Sequence, residues 1–170
     1  GAGLAEELGV SSRIDFQMGT LSKAAGVSGG YVACSRAWAD VMVNSARSLI
    51  YSTAPPPALA AAALAAVEVI CSGEGKELRR RVSVLANSLS AALGMPGRPV
   101  SSIFPVVVGE NDAALAAADA LLEQGFLAPA IRYPTVPRGM ARLRITVTAA
   151  HESGQVTRLG TALKELLHGK

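Results

Sequence analysis

Three consecutive prolines, Pro55, Pro56 and Pro57, fix where this 170-residue chain can and cannot be continuous. Proline lacks a backbone N–H and holds φ near −65°, so it is excluded from a helix interior but suits a helix's first turn. A helix can therefore begin at this point, and none can run through it. The residues that follow, Ala58 to Ile70, are almost all alanine and aliphatic, which predicts a strong helix. Gly73 and Gly75 are expected to end it. The chain thus reads as two parts, residues 1–72 and 73–170. Half of its residues are hydrophobic and 17% are charged, a balance that excludes a disordered polypeptide.

Upstream of the prolines, Arg13 to Met18 alternates polar and apolar residues and predicts a short strand. A glycine-rich loop, Gly19 to Gly30, leads to a second strand, Tyr31 to Cys34, close enough to pair antiparallel with the first. Arg36 to Ser48 has helical spacing, with Trp38 on its apolar face and expected in a core. Downstream, Lys76 to Leu93 predicts a helix with Leu78, Val82, Leu85, Leu89 and Leu93 on one stripe. A turn at 94–99 follows, then a strand, Ile103 to Val108. Asn111 or Asp112 is expected to cap a helix of Ala113 to Gln124. Phe126 to Ile131 and Ala141 to Thr148 predict strands on either side of a proline-rich crossing, and His151 to Leu167 predicts a terminal helix. This second part has the element order of an α+β layer domain.

Composition narrows the function classes. A net charge of +3 and 4% aromatic residues give no basic stripe and no stacking platform for nucleic acid. The longest apolar run, Ala58 to Val67, is too short for a bilayer, and the first residues have no basic-then-apolar pattern of a signal peptide. An intracellular, cytoplasmic protein is expected. Cys34 and Cys71 stand far apart and are expected as buried free thiols. His151 and His168 have no ligand spacing with them, so no metal site is expected, and His151 is expected to cap or flank the last helix. Lys76 to Arg81 reads as a solvated helix face.

The loop from Gly19 to Gly30 is where chemistry is concentrated. Lys23 sits alone among small residues, with the hydroxyls of Thr20 and Ser22 beside it. Small neighbours let a large planar ligand reach the amine. An unprotonated lysine amine attacks a carbonyl carbon, and the hydroxyls suit an anion such as phosphate. A solvated lysine in a Gly/Ser loop is the other reading that these residues leave open.

The segment Gly19-Thr20-Leu21-Ser22-Lys23-Ala24-Ala25-Gly26, followed by Gly29-Gly30-Tyr31-Val32, resembles the cofactor-lysine motif of the α-oxoamine synthases. These are fold-type I, class II aminotransferase-like enzymes that use pyridoxal 5′-phosphate (PLP). The resemblance implies that Lys23 holds PLP as a Schiff base and that Thr20 contacts its phosphate, to which the Ser22 hydroxyl beside it is also suited. Tyr51-Ser52-Thr53-Ala54-Pro55-Pro56 is similar to the family's segment that crosses a dimer interface, which implies that Ser52 and Thr53 reach the phosphate of a homodimeric partner. Ala130 to Pro137, with Arg142 to His151, resembles the family's substrate-carboxylate region. Arg132 would pair with the amino-acid carboxylate there and Thr135 would lie at the substrate. A surface arginine on a proline-rich loop is what Arg132 would be without the resemblance.

The implied fold class is α/β: the end of a PLP fold-type I large domain in residues 1–72, then a small α+β C-terminal domain in residues 73–170. The implied reaction condenses an amino acid with an acyl thioester, with loss of carbon dioxide. Within the family the residues are most like the biotin-pathway branch, which joins alanine to a pimeloyl thioester. The glycine- and serine-using branches are the alternatives, as is a truncated, non-catalytic fragment or assembly module. Family members run to more than twice this length, and their upstream half supplies the histidine that stacks on PLP and the aspartate that pairs with its ring nitrogen. The resemblance therefore implies a C-terminal part that is poorly active alone.

Overall fold

The computed structural model describes residues 3–95 and 101–168. Contacts divide the chain into two units, Gly1–Lys76 and Glu77–Lys170.

The first unit begins with a short helix, α1 (Leu4–Glu7), and a single 3-10 turn over Ser11–Arg13. That turn, closed by the Arg13 N–H on the Val10 carbonyl at 2.9 Å, takes the first residue of the predicted strand. Strand β1 accordingly starts at Phe16 and runs to Thr20, and pairs antiparallel with β2 (Gly30–Cys34) from Phe16 opposite Cys34 to Thr20 opposite Gly30. Helix α2 (Arg36–Ser45) is capped by Ser35, whose hydroxyl accepts the Trp38 N–H at 3.4 Å. The predicted helix does not continue to Ser48. Asn44 donates its side-chain amide to the Asp40 carbonyl at 2.7 Å, Ala46 is extended, and a separate turn, α3 (Arg47–Ile50), follows. Trp38 is 45% exposed, with its ring 5.2 Å from that of Phe16.

Helix α4 (Pro57–Cys71) starts on the third proline, as proline's fixed φ favours. Its end differs from the sequence expectation. Ser72 stops it, and the two glycines belong to the next helix, α5 (Gly73–Ala92). The Ser72 hydroxyl donates to the Val69 carbonyl at 2.8 Å and accepts the Gly75 N–H at 3.2 Å. One serine thus closes one helix and caps the other, a stronger local signal than glycine's preference for helix ends. Helix α4 buries no residue, so Cys71 is exposed rather than buried, while Cys34 is half-buried.

The second unit contains an antiparallel sheet in the order β3-β5-β4, with β3 at Ile103–Gly109, β4 at Ala130–Ile131 and β5 at Ala141–Thr146. Along β5, Ala141, Leu143 and Ile145 are buried and Arg142 and Arg144 face the other way, the period-2 pattern that the sequence shows. Leu143 and Ile145 join Leu85 and Leu89 of α5, Phe104 and Val106 of β3, Leu121 of α6 (Asn111–Glu123), and Val156 and Leu163 of α7 (Ser153–His168) in one core.

Three boundaries here depart from expectation. Helix α6 begins at Asn111, and neither Asn111 nor Asp112 caps it. Its C-terminus ends in a Schellman motif: Gly125, at φ 84°, donates to Leu122 and Phe126 donates to Leu121, both at 2.8 Å. The motif uses Phe126, so the strand predicted from that residue shrinks to Ala130–Ile131. His151 flanks α7 rather than starting it. Its Nδ1 accepts the Thr148 N–H at 3.0 Å, and the Glu152 N–H donates to the side chain of Gln155 at 2.9 Å. Among the described residues no single helix is long and apolar enough to cross a membrane.

Candidate active site

The β1–β2 connection holds Lys23 in a loop closed by its own backbone. The Leu21 N–H donates to Gly29 at 2.9 Å, Val27 to Leu21 at 3.0 Å and Gly26 to Lys23 at 3.1 Å. Gly26 and Gly29 lie at φ 64° and 124°, a region that side chains with a β-carbon enter only under strain. Thr20 anchors the turn. Its hydroxyl donates to the Gly29 carbonyl at 3.3 Å, accepts the Ser22 N–H at 3.2 Å, and lies 2.8 Å from the Ser22 hydroxyl. A hydroxyl has one proton. With that of Thr20 on Gly29, Ser22 is the donor between the two. Lys23 is exposed, and its amine makes no hydrogen bond or ion pair among the described residues.

The structure therefore brings Thr20, Ser22 and Lys23 together on one loop. The aromatic ring of Tyr31 lies where a β-carbon on Gly19 would stand, 2.6 Å from that position. Two hydroxyls and an unpaired amine on one backbone turn fit an aldehyde that carries a phosphate.

Ser52 and Thr53 lie in the exposed stretch between α3 and α4. The Ser52 hydroxyl donates to the Leu49 carbonyl at 2.7 Å, one turn back. Thr53 makes no hydrogen bond among the described residues.

Arg132 follows directly on β4, whose Ile131 pairs with Arg142 of β5. Arg132 is exposed, and its guanidinium makes no hydrogen bond or ion pair among the described residues. Its carbonyl accepts the Val136 N–H at 3.2 Å, a turn that encloses Thr135. The peptide between Tyr133 and Pro134 is cis. The Arg138 guanidinium lies 4.3 Å from the centroid of the Tyr133 ring, a cation–π contact. The Tyr133 N–H donates to Asn111 Oδ1 at 3.3 Å. Sequence reasoning missed this bond, because an asparagine before a helical run looks like a cap. Its only sequence signal is a residue with capping chemistry at a helix start.

A cavity of about 340 Å³ in the same unit lies away from these residues. It is lined by Phe126, Ile145, Thr146, Val147, His151 and Arg158 among others, at the end of β5 opposite the Arg142 that pairs beside Arg132. Among the described residues no cluster of His, Cys, Asp or Glu has the makings of a metal site.

The family description "Aminotransferase class I and II" matches residues 2–163, and the chain belongs to that family. It is 48% identical over 173 residues to the 8-amino-7-oxononanoate synthase of Anaeromyxobacter dehalogenans (strain 2CP-C), a match that takes in 99% of this chain and 43% of that protein. The chain thus spans less than half the length of this curated relative. Among solved structures it is similar to SPT with its PLP internal aldimine, at a TM-score of 0.88 and 25% identity, over 98% of this chain and 43% of that one. It is also similar to the 8-amino-7-oxononanoate synthase of Francisella tularensis, at a TM-score of 0.72 and 25% identity, over 89% and 44% of the two chains.

Proposed function

We propose that this chain is the C-terminal part of a PLP-dependent acyltransferase that condenses L-alanine with a pimeloyl thioester, on coenzyme A or a carrier protein, to give 8-amino-7-oxononanoate in biotin biosynthesis. The observation that carries the reading is the loop of Thr20, Ser22 and Lys23, found in a chain of this family. Residues 1–72 would be the end of the large, cofactor-binding domain and residues 73–170 the small domain. Identity of 48% over 99% of this chain to an 8-amino-7-oxononanoate synthase supports this branch of the family.

Bound PLP supplies an electron sink for the carbanion at the amino acid's Cα. Lys23 would hold the cofactor through its amine and yield that place to the substrate amine. Freed, the Lys23 Nζ takes the Cα proton as general base. Ser22 and Thr20 would turn their hydroxyl protons to the phosphate; the 3.3 Å bond from Thr20 to Gly29 is the longest of the set and would give way most readily. Arg132 grips the alanine carboxylate with two parallel N–H donors, a geometry that lysine does not offer. Thr135 lies beside that carboxylate. With the cofactor bound, the Cα carbon would attack the thioester carbonyl and expel the thiolate, the original carboxylate would leave as carbon dioxide, and the Lys23 ammonium would return its proton to Cα. Ser52 and Thr53 serve the phosphate of the partner in a cytoplasmic homodimer.

Borohydride reduction of the full-length parent loaded with PLP, followed by peptide mapping, tests this. The label is expected on Lys23. A label on another lysine overturns the assignment. A panel of alanine, glycine and serine against several acyl thioesters identifies the branch, and preference for serine with a long acyl chain would move the protein to the serine-using branch.

A further inference from the structure

The peptide group that joins Arg132 to Tyr133 is held on both of its polar atoms. Its carbonyl accepts the Val136 N–H at 3.2 Å, and its N–H donates to Asn111 Oδ1 at 3.3 Å. The donor is a backbone N–H, so the amide oxygen of Asn111, not its nitrogen, faces it. The first bond is local and belongs to the turn. The second spans 22 residues in sequence and ties the start of α6 to the loop that carries Arg132.

Asn111 is the first residue of α6, one beyond the cap position, which Glu110 fills without a side-chain hydrogen bond. The asparagine amide is thus not engaged in the capping that its residue type suggests. Asn111 is half-buried at the first position of α6, so its amide is presented by a rigid element that packs on the core through Ala117 and Leu121. With both polar atoms of one peptide fixed, the plane that follows the Arg132 Cα cannot rotate freely. The backbone from which the Arg132 side chain departs is then fixed before a substrate arrives, and only the side-chain torsions are left to adjust.

From this we infer that Asn111 is a positioning residue for Arg132, acting on the amino-acid substrate through the Arg132–Tyr133 peptide. This inference rests on the carboxylate role proposed for Arg132. A bidentate grip depends on orientation within about 10–20°, so release of the peptide weakens amino-acid binding and leaves the acyl thioester untouched.

The test is a double-mutant cycle in the full-length, PLP-loaded parent, with KM measured separately for alanine and for the thioester. Asn111→Leu keeps the shape and removes the acceptor. It is expected to raise the alanine KM about 3- to 10-fold, the worth of one hydrogen bond, with kcat and the thioester KM within twofold. Asn111→Ala, which a first helical turn accepts, is measured beside it and covers a failure of the leucine variant to fold. In an Arg132→Ala background neither Asn111 change is expected to raise the alanine KM further. An unchanged alanine KM in an Asn111 variant, or a full additional rise on top of Arg132→Ala, overturns the inference. If Arg132→Ala itself leaves the alanine KM unchanged, the carboxylate reading fails and takes this inference with it. A silent Asn111 variant beside a responsive Arg132 variant removes the inference alone.

Discussion

Gly160 of α7 faces Ala92 of α5 so closely that a β-carbon on residue 160 would stand 2.7 Å from the Ala92 methyl carbon. Both atoms are fixed to helix backbone, so neither can swing aside. Gly160→Ala is therefore expected to push the helices apart and destabilise the C-terminal unit by about 1–3 kcal/mol. Ala92→Gly in the same chain should restore most of the loss. Thermal unfolding of the two single variants and the double variant reads this directly, and additive losses would contradict the contact.

Gly73 and Gly75 stand two residues apart and should behave oppositely. A β-carbon on Gly75 would meet the Val69 carbonyl oxygen and lie 2.7 Å from that of Ile70, whereas one on Gly73 meets nothing within 4 Å. Gly75→Ala forces backbone apart at the α4–α5 junction and is expected to cost about 1–3 kcal/mol. Gly73→Ala is expected to be neutral, or stabilising by up to about 1 kcal/mol, because alanine limits the unfolded chain. Urea titration of both variants separates them.

Leu143 is fully buried at the centre of β5, while Arg144 beside it is exposed. Leu143→Ala should destabilise by about 3–5 kcal/mol through lost transfer energy and the cavity it leaves. Arg144→Ala should stay within about 0.5 kcal/mol. Chemical denaturation measures both, and a large loss at Arg144 would mean that its face of the sheet is covered.

On the Lys23 loop, Ser22→Ala removes one hydroxyl donor, whereas Thr20→Val also removes the acceptor that holds the Ser22 N–H at 3.2 Å. PLP affinity of the full-length parent should fall about tenfold for Ser22→Ala, the value of one hydrogen bond to a charged group, and further for Thr20→Val. Fluorescence titration of the apo variants gives both constants, and equal losses would count against Thr20 as the anchor of the turn.

The ion pair on α5 is expected to contribute little. Arg80 donates to Glu77 at 2.6 Å, and that hydrogen bond, before any other cause, holds the Glu77 carboxyl below its ordinary value. A lowered carboxyl adds stability above its unfolded value, and loses it as pH falls through the folded one. Here both groups lie in open solvent, where such pairs are weak. Glu77→Gln should move Tm by less than about 2 °C at neutral pH, with any difference from the parent vanishing in acid.

What the sequence determined by itself was local and periodic. The third proline set the start of α4 because its φ is fixed covalently. Alternation of buried and exposed residues identified β5, because side chains in a strand point to opposite faces by geometry alone. The glycines on both sides of Lys23 marked a backbone turn, and the residues around that lysine carried the family resemblance. Tertiary structure decided the rest, wherever one residue had two uses. Ser72 took the helix end expected of Gly73 and Gly75, since one hydroxyl there serves both helices. Phe126 closed α6 instead of opening a strand. Asn111 stands inside the first turn of α6, one residue beyond the cap position, and holds the peptide beyond Arg132, a bond that depends on a partner 22 residues away. A cap and a distant hydrogen bond need the same atoms, and only the folded chain shows which one they made.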